Sequence, residues 1–240
     1  MAGRIRIGCA GWSILSRHRA LFGTEGSHLA RYASRFDAVE INSSFYRSHA
    51  TATYARWAEQ VPAAFRFSVK VPKAITHEAA LRGCGPPLTR FAGEVAGLGR
   101  KLGGVLVQLP PSLVFDDSVV RPFFERLREN YDGPLACEPR HASWFTGSVD
   151  RALRELDVSR VAADPARVPR AALPGGDRHR IYLRLHGSPR TYYDAYASPV
   201  LERVARRLRR APLGWCIFDN TVLGHATGNA IELQRMLRSP

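Results

Sequence analysis

Acids, histidines and guanidines recur at the ends of short apolar runs along this 240-residue chain. In Leu135-Ala136-Cys137-Glu138-Pro139-Arg140-His141 the two-residue period of a strand puts Glu138 and Arg140 on one side. An adjacent guanidinium holds a carboxylate ionised, so Glu138 reads as a ligand, an electrostatic anchor or a substrate clamp rather than a general acid. An internal ion pair plugging the top of a core accounts for the same two residues. Tyr182, Arg184 and His186 repeat the spacing, as do Glu40 and Asn42, and Phe218-Asp219-Asn220 ends a further run whose loop carries His225 ahead of Asn229. Glu40, Glu138, His186 and Asp219 come from different strand ends, the way divalent-metal sites are assembled from distant segments; Glu138, His186 and Asp219 are the candidate ligands. The same three side chains are candidates for acid/base work, with His141 and His225 as proton carriers. No local spacing demands a metal, and a lone histidine serves equally as a hydrogen-bonding partner. Arg140, Arg184 and Lys70 are placed to hold anionic oxygens, with Gln108, Asn42, Glu40 and Asn220 as further polar contacts.

These residues need a scaffold that delivers distant strand ends to one place. Runs of β character span 4–11, 38–45, 65–72, 104–110, 134–140, 159–164, 180–187 and 214–220. Between most of them the apolar residues follow a 3.6 period, as in Leu29, Tyr32, Ala33 and Phe36, or Leu88, Phe91, Val95, Leu98 and Leu102. Alternation of strand and helix predicts a parallel sheet with helical crossovers, and eight repeats favour closure over an open sheet. The expected fold is α/β, a single (β/α)8 TIM-barrel-like domain over 1–240 whose eight strand ends converge on one rim. Residues 165–179 contain Pro165, Pro169, Pro174, Gly175 and Gly176, so crossover helix six is expected to be reduced or missing.

Composition narrows the chemistry further. Four cysteines show no C-x-x-C spacing, which predicts buried, reduced thiols. The start of the chain lacks an apolar leader and no run reaches the roughly 18 apolar residues that span a bilayer, so a soluble, cytoplasmic protein without a membrane partner is expected. The net charge of +14 comes from 32 arginines and only three lysines. That skew has two readings: genome composition displayed on a solvated surface, or attraction to a phosphate-rich partner. Arg203, Arg206, Arg207, Arg209 and Arg210 form the densest group, around the polar face of one helix. No H-E-x-x-H, G-x-S-x-G, Walker or dinucleotide fingerprint is present, which argues against zincin, serine-hydrolase, nucleotide-triphosphate and nicotinamide chemistry. The loop Gly187 to Tyr196 offers Tyr192, Tyr193 and Tyr196 with Arg190, suited to stacking on a base or sugar, or simply to packing the loop down. The loop that begins Gly11-Trp12-Ser13 could close over the same mouth.

Several longer blocks carry a family resemblance: Cys9-Ala10-Gly11-Trp12-Ser13, Val39-Glu40-Ile41-Asn42-Ser43-Ser44-Phe45-Tyr46, Gln108-Leu109-Pro110-Pro111-Ser112, Glu138-Pro139-Arg140-His141-Ala142-Ser143-Trp144-Phe145, Arg184-Leu185-His186-Gly187 and Asp219-Asn220-Thr221. Together they resemble the YecE-like family, domain of unknown function 72, from about residue 4 to 237. Two positions depart from its pattern: Ile14-Leu15 replaces an aromatic, and Pro139 replaces a large apolar residue. The resemblance implies a TIM-barrel-like fold and, by fold analogy alone, kinship with metal-dependent sugar isomerases and abasic-site endonucleases. Trp12, Tyr46 and Tyr192 join the substrate-binding candidates. The leading expectation is an enzyme acting on a phosphorylated sugar or nucleic-acid backbone, with a divalent metal as its candidate cofactor. The alternative is a non-catalytic nucleic-acid-binding or regulatory protein that uses its arginine surface.

Overall fold

A computed structural model of the chain describes residues 5–177 and 179–238; Arg4, the expected start of the first strand, lies outside them. Among the described residues there are ten strands: β1 Ile5–Cys9, β2 Ala38–Ile41, β3 Arg66–Lys70, β4 Leu102–Gln108, β5 Leu135–Glu138, β6 Val158–Arg160, β7 Ala162–Asp164, β8 Gly175–Gly176, β9 Arg180–Leu185 and β10 Leu213–Phe218. The helices are α1 His28–Ala33, α2 Thr51–Glu59, α3 Gly85–Val95, α4 Asp117–Asn130, α5 Gly147–Glu155, α6 Ser198–Arg209 and α7 His225–Arg238. Side chains of Ser27, Asp116 and Thr146 cap α1, α4 and α5 by accepting from backbone N–H groups of the first turn. Helix α3 stops earlier than its apolar stripe predicts. Gly99, at φ +50°, turns the chain there, and Leu102 enters β4 instead of extending the helix.

The strands pair as two sheets, in the orders β1-β10-β9-β7 and β2-β3-β4-β5-β6-β8. All neighbours are parallel except β6 and β8, so the second sheet is mixed. The expected single, wholly parallel eight-stranded ladder is therefore replaced by two ladders, and the physical reasons lie at their junctions. Between β1 and β2 the Tyr32 hydroxyl is inserted: Cys9 N–H donates to it at 2.9 Å and it donates to Ala38 O at 3.0 Å. A side chain thus takes the place of direct backbone pairing until Gly11 N–H reaches Glu40 O at 2.9 Å. At the other junction Val161 N–H bonds Cys137 O at 2.8 Å, after which the chain parts from β5 and β7 pairs with β9.

Two apolar clusters support this arrangement. The larger packs the helices against the outer strand faces. A smaller one joins Ala38, Leu106, Ala136, Tyr182, Trp215 and Ile217, side chains drawn from both sheets, beneath the polar strand ends. Tyr182 and Trp215 stack there with ring centroids 6.0 Å apart.

Helix six is reduced to a 3-10 turn, Pro169–Ala172, within the expected range, and a buried charge organises the loop around it. Arg160, only 2 % exposed, donates from Nε to Asp150 Oδ1 at 2.7 Å and from Nη1 to the carbonyls of Arg170 and Leu173 at 3.2 Å. Gly175 leaves the space this needs, since a Cβ there would meet Asp150 Oδ1 at 2.3 Å. Asp150→Ala would strand the Arg160 charge, and a loss of roughly 3 kcal/mol is expected from the urea midpoint. An unchanged midpoint would mean that the carbonyls alone satisfy the guanidinium.

Candidate functional site

The C-terminal strand ends bring Glu40, Glu138, Arg184, His186 and Asp219 into one cluster with Arg184 at its centre. Its guanidinium is 0 % exposed. Nη2 donates to Glu40 Oε1 at 2.6 Å and Asp219 Oδ2 at 3.1 Å, Nη1 to Glu138 Oε2 at 2.6 Å, and Nε to Glu40 Oε2 at 3.1 Å. Gln108 Oε1 lies 3.4 Å from Nη1, and the Tyr182 hydroxyl donates to Glu40 Oε2 at 2.9 Å while lying 2.9 Å from Ser68 Oγ. One forked cation thereby meets carboxylates from three strand ends.

His186 bridges the next layer, with Nε2 3.1 Å from Glu138 Oε1 and Nδ1 3.0 Å from Asp219 Oδ2. Burial disfavours its charged form, but Glu138 and the bond to Asp219 outweigh burial and lift its pKa above the ordinary value. Burial alone would raise the Glu138 carboxyl, yet Arg184, His186 and Arg140 hold it well below the usual carboxylate range. Asp219 is likewise held down by Arg184 and His186 against its burial. Each ring nitrogen therefore faces a carboxylate oxygen, the arrangement that favours the protonated ring. Arg140 also donates to Glu138 Oε1, from Nε at 3.2 Å and Nη2 at 3.1 Å. The spacing of Glu138 and Arg140 therefore does give an ion pair, and both Glu138 oxygens are engaged.

These donors do not fit a divalent metal. Ligation needs a free imidazole lone pair and open carboxylate oxygens, whereas the His186 nitrogens and the facing oxygens of Glu138 and Asp219 are committed to one another around a guanidinium. Among the described residues no group of three or more His, Cys, Asp or Glu side chains is arranged to hold a metal ion. The expectation of Glu138, His186 and Asp219 as metal ligands is corrected on that ground. Glu40 and Arg184 are corrected as substrate contacts, because both are wholly enclosed.

Lys70 differs from its neighbours. It is 4 % exposed, and its Nζ has no hydrogen-bond or ion-pair partner among the described residues, yet it is not one of the enclosed polar atoms, so it reaches solvent. The ammonium lies over the Phe45 ring, 3.9 Å from its centroid. Local structure fixes this contact: after β2 the chain makes a 3-10 turn, Ser43–Phe45, and the Ser44 hydroxyl donates to Lys70 O at 2.6 Å. A π-helical turn, Ala74–Glu78, then brings His77 edge-on to Phe45, with ring centroids 5.0 Å apart. Burial and then Arg184 push the Lys70 pKa from 10.5 down to about 8, against the pull of Glu40, Asp219 and Glu138. Burial followed by the charges of Lys70 and Arg140 lowers that of His77, which keeps its imidazole neutral.

The remaining candidates divide clearly. Tyr192 stands edge-on to His186, centroids 5.7 Å apart, and adopts φ +71°, a left-handed conformation that costs a bulky residue strain. Tyr196 instead packs the loop down, its hydroxyl donating to Asp164 O at 2.9 Å and accepting from Gly187 N–H at 2.9 Å. Asn220 is structural too, donating to Asp194 O and Asn229 Oδ1 at 3.0 Å. His141 caps the turn Ala142–Trp144, with Nδ1 2.9 Å from Ser143 Oγ. His225 opens α7 and acts on His18, away from the cluster. Trp12 packs against Trp57, Asn42 is half-buried with an unpartnered Oδ1, and Tyr46 stands 77 % exposed. Of the arginines on α6, Arg203, Arg207 and Arg209 donate to the carbonyls of Pro199, Ala172 and Met236.

Beside Glu138 and His186 opens a cavity of about 310 Å³, lined also by Arg140, Ala163, Arg167 and Thr191. It lies where helix six is reduced. Arg167 and His77 lie away from the expected strand ends and were not among the candidates, and Phe45, although it ends the expected run 38–45, is apolar and was not one either. The Pro/Gly-rich replacement for a helix was the available signal for Arg167; for His77 there was none.

The family described as "Protein of unknown function DUF72" matches residues 6–240. The chain is 32 % identical over 158 residues to UPF0759 protein YecE of Escherichia coli (strain K12), and 31 % identical over 158 residues to that of Escherichia coli O157:H7. Each match covers 63 % of this chain and 57 % of the relative, so the aligned region spans less than two thirds of these curated relatives. Crystal structures of DUF72 family proteins from Enterococcus faecalis V583 and Thermotoga maritima MSB8 share the fold. The first superposes with TM-score 0.80 at 24 % identity over 100 % of this chain and 99 % of that one, the second with TM-score 0.80 at 23 % identity over 98 % and 99 %. No described helix is long and apolar enough to cross a membrane.

Proposed function

The chain belongs to the DUF72 family, and on that premise we propose an enzyme that binds a phosphorylated sugar, free or within a nucleic-acid backbone, at the C-terminal strand ends. The observation that carries this reading is the cavity of about 310 Å³ whose lining includes Arg140, Arg167, His186 and Glu138. It is the size of a small-ligand pocket and offers two cations to one anion. The two sheets would serve as a single eight-stranded barrel, with the β6–β7 segment as its sixth strand. Support for closure comes from the Ala10–Glu40 bridge at one junction and from β6 and β7 pairing with opposite neighbours at the other. In this reading Arg184 keeps Glu138 and Asp219 ionised beneath the bound substrate, and His186, whose two ring nitrogens face those carboxylates, holds them in position for hydrolysis or isomerisation of a sugar phosphate.

Calorimetric titration with ribose 5-phosphate and with a short single-stranded oligonucleotide tests the reading. Arg140→Gln and Arg167→Gln should each weaken binding of the preferred probe by about tenfold or more, as expected for losing a charged hydrogen bond. Arg167 is exposed, so its variant keeps the fold. Wild-type affinity in both variants, with loss on replacing Arg206 of α6 and Arg210 just after it, would transfer binding to the helix surface and leave a non-catalytic nucleic-acid-binding protein.

A further inference from the structure

We propose that Lys70 is an imine-forming amine that bonds covalently to the carbonyl carbon of an aldehyde- or ketone-bearing sugar phosphate. The inference rests on the anion-binding reading of the mouth and names the substrate class it would take. A buried lysine that keeps its charge is normally paired with an anion. Lys70 lacks such pairing among the described residues: Nζ rests on an aromatic face, its strand is pinned by the Ser44 hydroxyl, and the fixed charge of Arg184 lies close enough to oppose its own. That is the setting that releases a nucleophilic amine near neutral pH. At a pKa of about 8 rather than 10.5, the free-amine fraction at neutral pH is a few hundredfold larger. The other two lysines contrast with it. Lys73 pairs with Glu78 at 3.3 Å, and Lys101 Nζ donates to the carbonyls of Ala58 and Val61 at 2.5 Å.

The step balances without an oxidant or reductant. The Nζ lone pair forms a bond to the carbonyl carbon, whose oxygen gains a proton, giving a carbinolamine. The nitrogen passes a proton to water at the mouth. Loss of the hydroxyl as one water molecule leaves C=N, and hydrolysis restores both partners.

The test incubates the full chain with glyceraldehyde 3-phosphate or unphosphorylated glyceraldehyde, reduces with sodium borohydride and maps the adduct by peptide mass spectrometry. The expected result is a mass gain equal to the aldehyde less one oxygen, on Lys70 rather than Lys73 or Lys101, with a labelling rate half-maximal near pH 8. Lys70→Arg should abolish it, and mapping on the wild-type chain keeps the test independent of how that variant folds. An adduct spread over Lys73, Lys101 and the amino terminus, or missing from Lys70, overturns the proposal. Equal labelling of Lys70 by both aldehydes would sustain the imine while removing the phosphate preference. Sugar-phosphate binding sensitive to Arg140 with no adduct on Lys70 would do the reverse.

Discussion

Replacing Arg184 by methionine is expected to remove at least about 5 kcal/mol of stability at neutral pH, comparable with the whole stability of a marginal domain. The variant would leave Glu40, Glu138 and Asp219 buried without the cation that joins them, and a neutral side chain of similar length cannot replace its hydrogen bonds. Urea unfolding followed by circular dichroism at pH 7 and pH 5 measures the effect. The deficit should be smaller at pH 5, because carboxylates that have lost Arg184 rise in pKa and are relieved by taking up protons. Wild-type protein should behave differently. Glu138 and Asp219 have folded pKa values below their unfolded ones, so their contribution is complete above about pH 4.5 and is lost as pH falls through the folded values. His186 has a folded pKa above its unfolded one, so its contribution is complete below about 6.5 and is lost as pH rises through the folded value. For these three groups together, wild-type stability should peak between roughly pH 5 and 6. A wild-type midpoint retained by Arg184→Met at pH 7 would mean that the three carboxylates have another partner, and the buried cluster would lose its assigned role.

Lys70→Met has the opposite sign. The folded pKa of about 8 lies below the unfolded 10.5, so the native state binds this proton less well than the unfolded chain does. The charged form is penalised throughout neutral pH, and the penalty fades as pH rises from 8 to 10.5. A shift of that size corresponds to about 3 kcal/mol, so the variant should gain up to about that much at pH 7. The gain should vanish toward pH 10.5, while sugar-aldehyde labelling is lost at every pH. A variant less stable than wild type at pH 7 would show instead that the contact with Phe45 outweighs the cost of burial. A residue that weakens the fold while placing a free amine at the strand ends is the pattern expected of a working group rather than a structural one.

The sequence by itself determined which side chains share a face. Strand alternation is local, so Glu138 with Arg140, and Tyr182 with Arg184 and His186, were legible from a two-residue period, as were the strand-helix order and the reduced sixth helix, marked by Pro165, Pro169, Pro174 and two glycines. The blocks around Glu40, Glu138 and Asp219 sufficed for the family resemblance. Depth and partnership were decided only by the tertiary structure. Alternation turns Arg184 inward but does not say that Glu40, 144 positions away, reaches it at 2.6 Å. Nor does the period of β3 reveal that Lys70 is left without an anion over Phe45, a contact set by a 3-10 turn on another strand. The Tyr32 hydroxyl that divides the sheets was equally invisible, because a helix residue displaces a backbone ladder only after both have packed. Local geometry assigns a direction to each side chain; charge state, exposure and partner come from long-range packing, which sets distances and dielectric together.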